Sequence, residues 1–334
     1  MMRSRLFVAY ALLLVLAVLA PDLARACSIS GAPPITLGSR SSFDVRSADT
    51  HAGSGASGAS CPGILGLLSS QYIYVSLDAM SNGLLNAVSG DRIPFSVATM
   101  PGGAPLAVGT TSGNLATAGL LTLGGSSSDV QLFLGLGAAG NVAAGTYTGT
   151  VTLRWHYATC GNISALGICV GNWTVSPGVT QGCLLGLCTL NTGTLPGAGV
   201  SVTLTISLQV TRDCRFVTSD IDFGSAPLVS GFAPVNASIG VTCSKGSTYT
   251  VGLSNGAYFD GSRRRMAAGA NRLQYDVFLP GNVRWNDTTS RALQAAPAAG
   301  DSAEQFPFTA RIYGDQPTPP VGNYVDTLIV DVQF

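Results

Sequence analysis

Charge is scarce in this 334-residue sequence: 10% of residues are Asp, Glu, Lys or Arg, 17 basic against 17 acidic. So thin and even a distribution lacks the electrostatic footprint of a nucleic-acid binder. The one basic cluster, Arg263-Arg264-Arg265, reads as a solvated loop. Histidine is almost missing, with only His51 and His156, and no C-x-x-C pair occurs. A zinc site therefore lacks its usual ligands, and no metal or cofactor is expected. Beyond the start of the chain no apolar run is long enough for a membrane-spanning helix. Long amphipathic helical patterns are missing too.

What is present begins with an export signal. Arg3 and Arg5 precede an apolar run from Leu6 to Ala20, and Ala24-Arg25-Ala26 offers an A-x-A cleavage site. Residues 1–26 read as a signal peptide, with a mature chain starting at Cys27. A lipid-attachment reading of Cys27 is disfavoured by Ala24 and Arg25 in front of it. Removing the signal leaves 14 basic and 16 acidic residues, a net charge of −2. The expected destination is the periplasm and then the cell surface. All eight cysteines lie in the mature chain, and an even count in an exported protein reads as disulfides, with connectivity that sequence does not fix.

The chain repeats itself. "AAGTYTGTVTL" at 143–153 and "PVGNYVDTLIV" at 320–330 share Gly, then Tyr, then alternating apolar positions. Cys27 and Cys214 open similar segments, each followed about thirty residues on by a second cysteine, Cys61 and Cys243. The repeat suggests Cys27–Cys61 and Cys214–Cys243 as equivalent bridges, with Cys160–Cys169 and Cys183–Cys188 closing short loops. We read an N-terminal domain at 27–178, a linker at 179–199 and a C-terminal domain at 200–334. Short runs such as "SQYIYVSL", "RIPFSVAT" and "VQLFLGL" in the first half, and "STYTVGL", "RLQYDVFL" and "FPFTARIY" in the second, have strand character. The expected fold is all-β, two immunoglobulin-like β-sandwiches.

"VSVTLTISLQV" puts Val200, Val202, Leu204, Ile206, Leu208 and Val210 on one face of a long amphipathic strand. Whether it complements the first domain or begins the second is open at this level. In the first half, the segment around Trp173 is available to follow the Gly-x-Tyr strand as a last strand, G. In the second half the Gly-x-Tyr strand, "NYVDTLIVDVQF", runs to Phe334. The expectation is a C-terminal sandwich without its last strand, whose open apolar edge needs a strand from another chain.

The second half resembles the spore coat protein U domain family, the subunit fold of archaic chaperone–usher pili. The resemblance is carried by Cys214, Phe223-Gly224, Val241-Thr242-Cys243, Tyr249-Thr250-Val251, Arg265-Met266, Leu273, Tyr275, Trp285, Tyr313-Gly314 and Gly322-x-Tyr324-x-Asp326-Thr327. The first half keeps the cysteine pair and the Gly-x-Tyr strand but lacks the Arg-Met and Trp positions. The resemblance implies a pilus adhesin that accepts a donor strand, with the two-domain layout of a tip subunit. The implied partners are a periplasmic chaperone, an outer-membrane usher, an adjacent pilin subunit and an abiotic or host surface. Chaperone and donor strand are expected to contact Tyr324, Leu328, Val330, Val332 and Phe334. Surface contact is expected at apolar residues of three distal loops of the first domain. These are Met80, Leu84, Leu85 and Val88 in the first, Leu115 and Leu120 in the second, and Ile163, Leu166 and Ile168 in the third. The alternative is that these residues pack under their own loops.

Other signals were weighed against these. "GLGAAG" at 135–140 matches G-x-G-x-x-G, but a strand follows it where the nucleotide motif needs a helix. His156 sits in "LRWHY" with no nucleophile elbow, and Asp287 and Asp301 are isolated, so no enzyme is expected. A lectin would use aromatic platforms, for which Trp173 is the best candidate. A secreted coat protein is the remaining alternative.

Overall fold

The structure is a computed structural model that describes residues 27–31, 33–61, 72–117, 128–160, 164–165 and 167–334. The expected signal peptide, Leu120, Ile163 and Leu166 lie outside the described residues. Among the described residues no helix is long and apolar enough to cross a membrane. Strands and short 3₁₀ turns carry the whole architecture.

The N-terminal sandwich opens with β1 (Ile35–Ser41), β2 (Asp49–Cys61), β3 (Tyr72–Met80), β4 (Phe95–Ala98), β5 (Ser128–Leu136) and β6 (Gly145–Cys160). One sheet has the order β2-β5-β4, with Ser28–Ile29 on the outer edge of β2. In the other sheet β6 is the spine, flanked on one side by β3. Beyond the Cys160 end of β6 come β7 (Ile168–Val170), β8 (Trp173–Val175), β9 (Gln181–Leu184) and β10 (Leu187–Leu190), and then β11 (Val200–Thr211). β11 lies along the free side of β6, antiparallel, from Val200↔Trp155 to Val210↔Gly145. Its other edge pairs in parallel with β1.

This decides what the sequence left open. Residues 200–211 pair with β6 and pack into the core of the first sandwich. The Trp173 segment, expected as the covering strand, pairs only with Ala158–Cys160 at the end of β6. The period-2 pattern explains why β11 prevails. Val202, Leu204, Ile206, Leu208 and Val210 all enter the core, each burial worth about 1.5–3 kcal/mol. Their polar alternates face out and join the neighbouring strands: Thr203 and Thr152 hydroxyls lie 3.1 Å apart, and the Thr146 hydroxyl donates to Gln209 at 2.8 Å.

The C-terminal sandwich is built from β12 (Cys214–Val217), β13 (Val235–Cys243), β14 (Thr250–Leu253), β15 (Arg264–Ala268), β16 (Asn271–Leu279), β17 (Ala292–Leu293), β18 (Glu304–Ile312) and β19 (Val330–Gln333). One sheet runs β12-β13-β18-β16-β15, the other β17-β14-β19. Trp285 fills the core between them, its indole N–H held by the Val251 carbonyl at 3.0 Å. The protein is thus all-β, with two immunoglobulin-like sandwiches of pilin type, the second lacking its last strand.

Both sandwiches carry the same corner. The Tyr147 hydroxyl donates to the Ala143 carbonyl at 2.6 Å, and Tyr324 to Pro320 at 2.7 Å, each four residues back. This is the tyrosine corner at the start of strand F, and it is what the repeated Gly-x-Tyr encodes. Disulfides join Cys160–Cys169, Cys183–Cys188 and Cys214–Cys243. Cys27 is also disulfide-bonded, and the ladder Ser28↔Ser60 sets it level with position 61.

The two sandwiches meet through a polar joint at the Gly145 end of β6. Lys245 pairs with Asp91 at 2.7 Å, and the Ser42 and Ser244 hydroxyls lie 2.6 Å apart. Arg46 and Asn141 donate to the carbonyls of Gly300 and Ala299, each at 2.6 Å. Phe43 is sandwiched between the guanidinium groups of Arg46 and Arg215.

Candidate functional site: an open groove and an apolar tip

The repeat allows one strand to be compared in two settings. Tyr147, Gly149, Val151, Leu153 and Trp155 of β6 align with Tyr324, Asp326, Leu328, Val330 and Val332. In β6 these inward positions are all buried, because β11 covers them. In the second sandwich all five are only half-buried, and Phe334 is exposed. One edge of this stretch is used by β14 and, further up, by Ala267, which exchanges two backbone hydrogen bonds with Val325. Among the described residues no strand pairs with the other edge. Beside it lies a groove of about 760 Å³. Residues 218–223 and 323–328 line it, together with Ile239, Leu253, Met266, Tyr275 and Phe308. An unpaired strand edge beside a groove is able to take up a further strand.

The far pole is different. The small sheet of β7, β10 and β9 sits beyond the Cys160 end of β6, about 50 Å of strand away from the joint. The β9–β10 hairpin turns on Leu185 (φ 51°) and Gly186 (φ 79°) and is clamped by Cys183–Cys188. Leu185 is 95% exposed and Leu184 76%, with Leu187, Ile168 and Val170 exposed beside them. A leucine held in the left-handed region and turned into water gains nothing for the fold, and with its neighbours it forms an exposed apolar patch.

The expected contact loops fare unequally. Ile168 is exposed at this pole. Residues 80–91 belong to the opposite one: Leu85 pairs with Thr148, and Asp91 reaches Lys245 of the second sandwich. The reason is direction, since β3 runs antiparallel to β6 and delivers its following loop to the joint. Leu84 is fully buried there, Met80 and Leu85 are half-buried, and Val88 is exposed near the joint rather than the tip. Leu115 is buried in the core. Leu84 and Leu115 thus belong to the main core, with Met80 packed against it. Sequence reasoning did not single out the exposed Leu184, Leu185, Leu187 and Val170. The available signal was "CLLGLC", two cysteines bracketing a two-residue turn.

His156 is buried at the distal end of β6, its Nε2 2.9 Å from the Ser76 hydroxyl. Burial, with Arg154 nearby, pushes its pKa down despite Asp78. Because the unfolded chain binds the proton more readily, this contribution to stability is intact above about pH 6.5 and is lost as pH falls below it. His156→Gln is expected to flatten the pH dependence of melting between pH 7 and 5, a window set by the ordinary histidine pKa of about 6.5. Among the described residues no group of three or more His, Cys, Asp or Glu is placed to hold a metal.

The second sandwich thus combines a tyrosine corner, a groove and a strand edge that no described strand pairs with. Residues 200–331 match the Spore Coat Protein U domain. Over its length the chain is similar to the structure described as the CsuC-CsuE chaperone-tip adhesion subunit pre-assembly complex from archaic chaperone-usher Csu pili of Acinetobacter baumannii. There the TM-score is 0.68 at 25% identity, covering 92% of this chain and 100% of that one. The CupB6 tip adhesin from Pseudomonas aeruginosa overlaps 92% of this chain and 94% of its own at 12% identity, but its TM-score of 0.30 is too low to bear on the fold. No curated protein matches the sequence.

Proposed function

We propose that this protein is the tip adhesin of an archaic chaperone–usher pilus. The observation that carries this is the pair of matched strands: one buried under β11, the other half-buried along an open groove. The likeness to a tip adhesion subunit supports the same reading. The second sandwich accepts a donor strand from the adjacent pilin subunit. Before assembly a periplasmic chaperone occupies the groove along Tyr324, Leu328, Val330, Val332 and Phe334, and an outer-membrane usher exchanges it for the donor. The functional units divide near Arg212, so that β11 serves the first as a built-in donor. The protein is exported through the periplasm and works at the cell surface, in attachment and biofilm formation.

Geometry supports an end position. Arg212, between the two units, lies 5.5 Å from the Phe334 ring, so the Phe334 end of the groove faces the joint. A strand added as β11 is added to β6 would start there and leave at the Tyr324 end, away from the first sandwich. The next subunit then extends the fibre, and the β9–β10 hairpin points ahead of it.

We propose Leu184, Leu185 and Leu187, with Ile168 and Val170, as the surface-binding tip. Each leucine buried against an apolar surface adds about 1.5–3 kcal/mol, and many pili multiply this by avidity. Pili carrying Leu184→Ser with Leu185→Ser are expected to lose attachment to a hydrophobic surface by about tenfold or more at unchanged melting temperature, the loss of roughly two such contacts. Unchanged attachment would reject the tip. Attachment blocked by soluble sugars and indifferent to surface hydrophobicity would favour a lectin instead.

A further inference from the structure

We infer that the Tyr275–Asp326 hydrogen bond is a brace that holds the empty groove in its strand-accepting shape, making both of them positioning residues for strand uptake. This rests on the donor-strand reading above. Tyr275 stands on β16; Asp326 follows Val325, which pairs with Ala267 of β15 in the same sheet, and its stretch leads on into β19 in the other. The Tyr275 hydroxyl donates to Asp326 Oδ2 at 2.7 Å, and the edge of its ring meets Phe223, centroids 6.1 Å apart. Phe223, Tyr275 and Asp326 all line the groove, Phe223 and Asp326 from separate stretches of the chain. The Tyr275 side chain therefore links two separate stretches of the groove wall.

The carboxylate is itself fixed. Oδ1 accepts the Ala257 and Thr327 backbone N–H groups, each at 2.9 Å. Gly256, at φ 78°, permits this approach, because a Cβ there would strike Asp326. Burial and the Asp326 carboxylate both push the Tyr275 hydroxyl far up, so it stays a donor at any working pH.

The first sandwich supplies the contrast. Its position aligned with Asp326 is Gly149, which has no side chain to brace anything, and Ile206 of β11 lies opposite. Where a strand is built in, the brace is missing; where the groove is open, it is present. The physical need is clear. Apolar attraction is non-directional and would draw the walls of the empty groove together. A hydrogen bond has a set length and keeps them at the spacing a strand requires, lowering the cost of entry by pre-organisation.

The test uses the full chain and a synthetic peptide of residues 200–211, with association and dissociation followed separately. Tyr275→Phe keeps the ring and removes the hydroxyl. It is expected to slow peptide association about tenfold and leave dissociation within about twofold. Asp326→Ala should do the same, and the double variant should be no slower than either single one, as for one shared interaction. A second measurement puts Tyr275→Phe into a chain whose groove is filled by a fused donor strand, where melting should stay within about 2 °C of its parent because the strand then sets the spacing. Unchanged association, additive single effects, or an equal loss of melting temperature in open and filled forms would each overturn the brace. If the unaltered chain takes up no peptide, the donor-strand reading falls and the brace with it. If it does, and Tyr275→Phe matches it, only the brace falls.

Discussion

Fusing residues 200–211 behind Phe334 through a short flexible turn is expected to raise the melting temperature of the C-terminal sandwich by about 10 °C or more. The fused strand presents Val202, Leu204, Ile206, Leu208 and Val210 to the groove, the same five side chains that β11 buries in the first sandwich. Each apolar burial contributes about 1.5–3 kcal/mol, partly offset by about 1–2 kcal/mol of backbone entropy for each residue ordered. Tethering removes the entropic cost of bringing two chains together. It also covers the half-buried Leu328, Val330 and Val332 and pairs an open edge, so the fused chain should remain monomeric where the unfused one aggregates. Thermal melts beside light scattering read both effects. Equal melting of the two forms would mean that the groove needs no strand, and would remove the main support for a pilus subunit.

The second large effect is at Asp276. This carboxylate and the guanidinium of Arg264 are both fully buried, 2.9 Å apart. Arg264 also donates to the carbonyls of Leu253, Ser254 and Trp285, while Asp276 accepts from Arg284 and from the Tyr313 hydroxyl. The network ties β15 and β16 to the end of β14, the strand against which β19 lies. Burial pulls the Arg264 pKa down, with Asp276 opposing it. Asp276→Ala leaves a buried cation uncompensated, a change worth about 3–5 kcal/mol. The melting temperature of the C-terminal sandwich should fall by roughly 10–20 °C. Replacing Arg264 by Met in the same chain should recover much of the loss, because a neutral side chain carries no desolvation penalty. A double variant as unstable as Asp276→Ala would show that the carbonyl contacts of Arg264, and not its charge, hold this corner.

Some of this could be read directly from the residues. The alternation in "VSVTLTISLQV" and "TYTGTVTLRW" marked long strands with one apolar face, and the strand period dictates that outcome wherever one face is covered. The repeated Gly-x-Tyr announced two copies of one design, with its tyrosine corner and following strand. The bridges Cys160–Cys169, Cys183–Cys188 and Cys214–Cys243 are present. Which apolar loops are exposed was poorly legible. "SNGLLNAV" and "CLLGLC" look alike as apolar loops, yet Leu84 is fully buried at the joint and Leu185 is 95% exposed at the far pole. Composition does not say at which end of a strand a loop emerges. That depends on strand direction within the sheet, and β3 runs opposite to β6.

By itself, then, the sequence determined the local facts: which segments are strands, which face of each is apolar, where the chain turns and where the design repeats. Period-2 alternation, turn residues and cysteine positions act over a few neighbours, so they survive as a one-dimensional pattern. Only the tertiary structure decided which core received residues 200–211. The strand could cover the N-terminal sandwich or open the C-terminal one, and both uses have the same pattern of apolar positions. The free side of β6 offered it eleven paired positions and a closed core. Placed there, it closes the core of the first sandwich, while the second keeps a groove lined by residues that include Phe223 and Asp326.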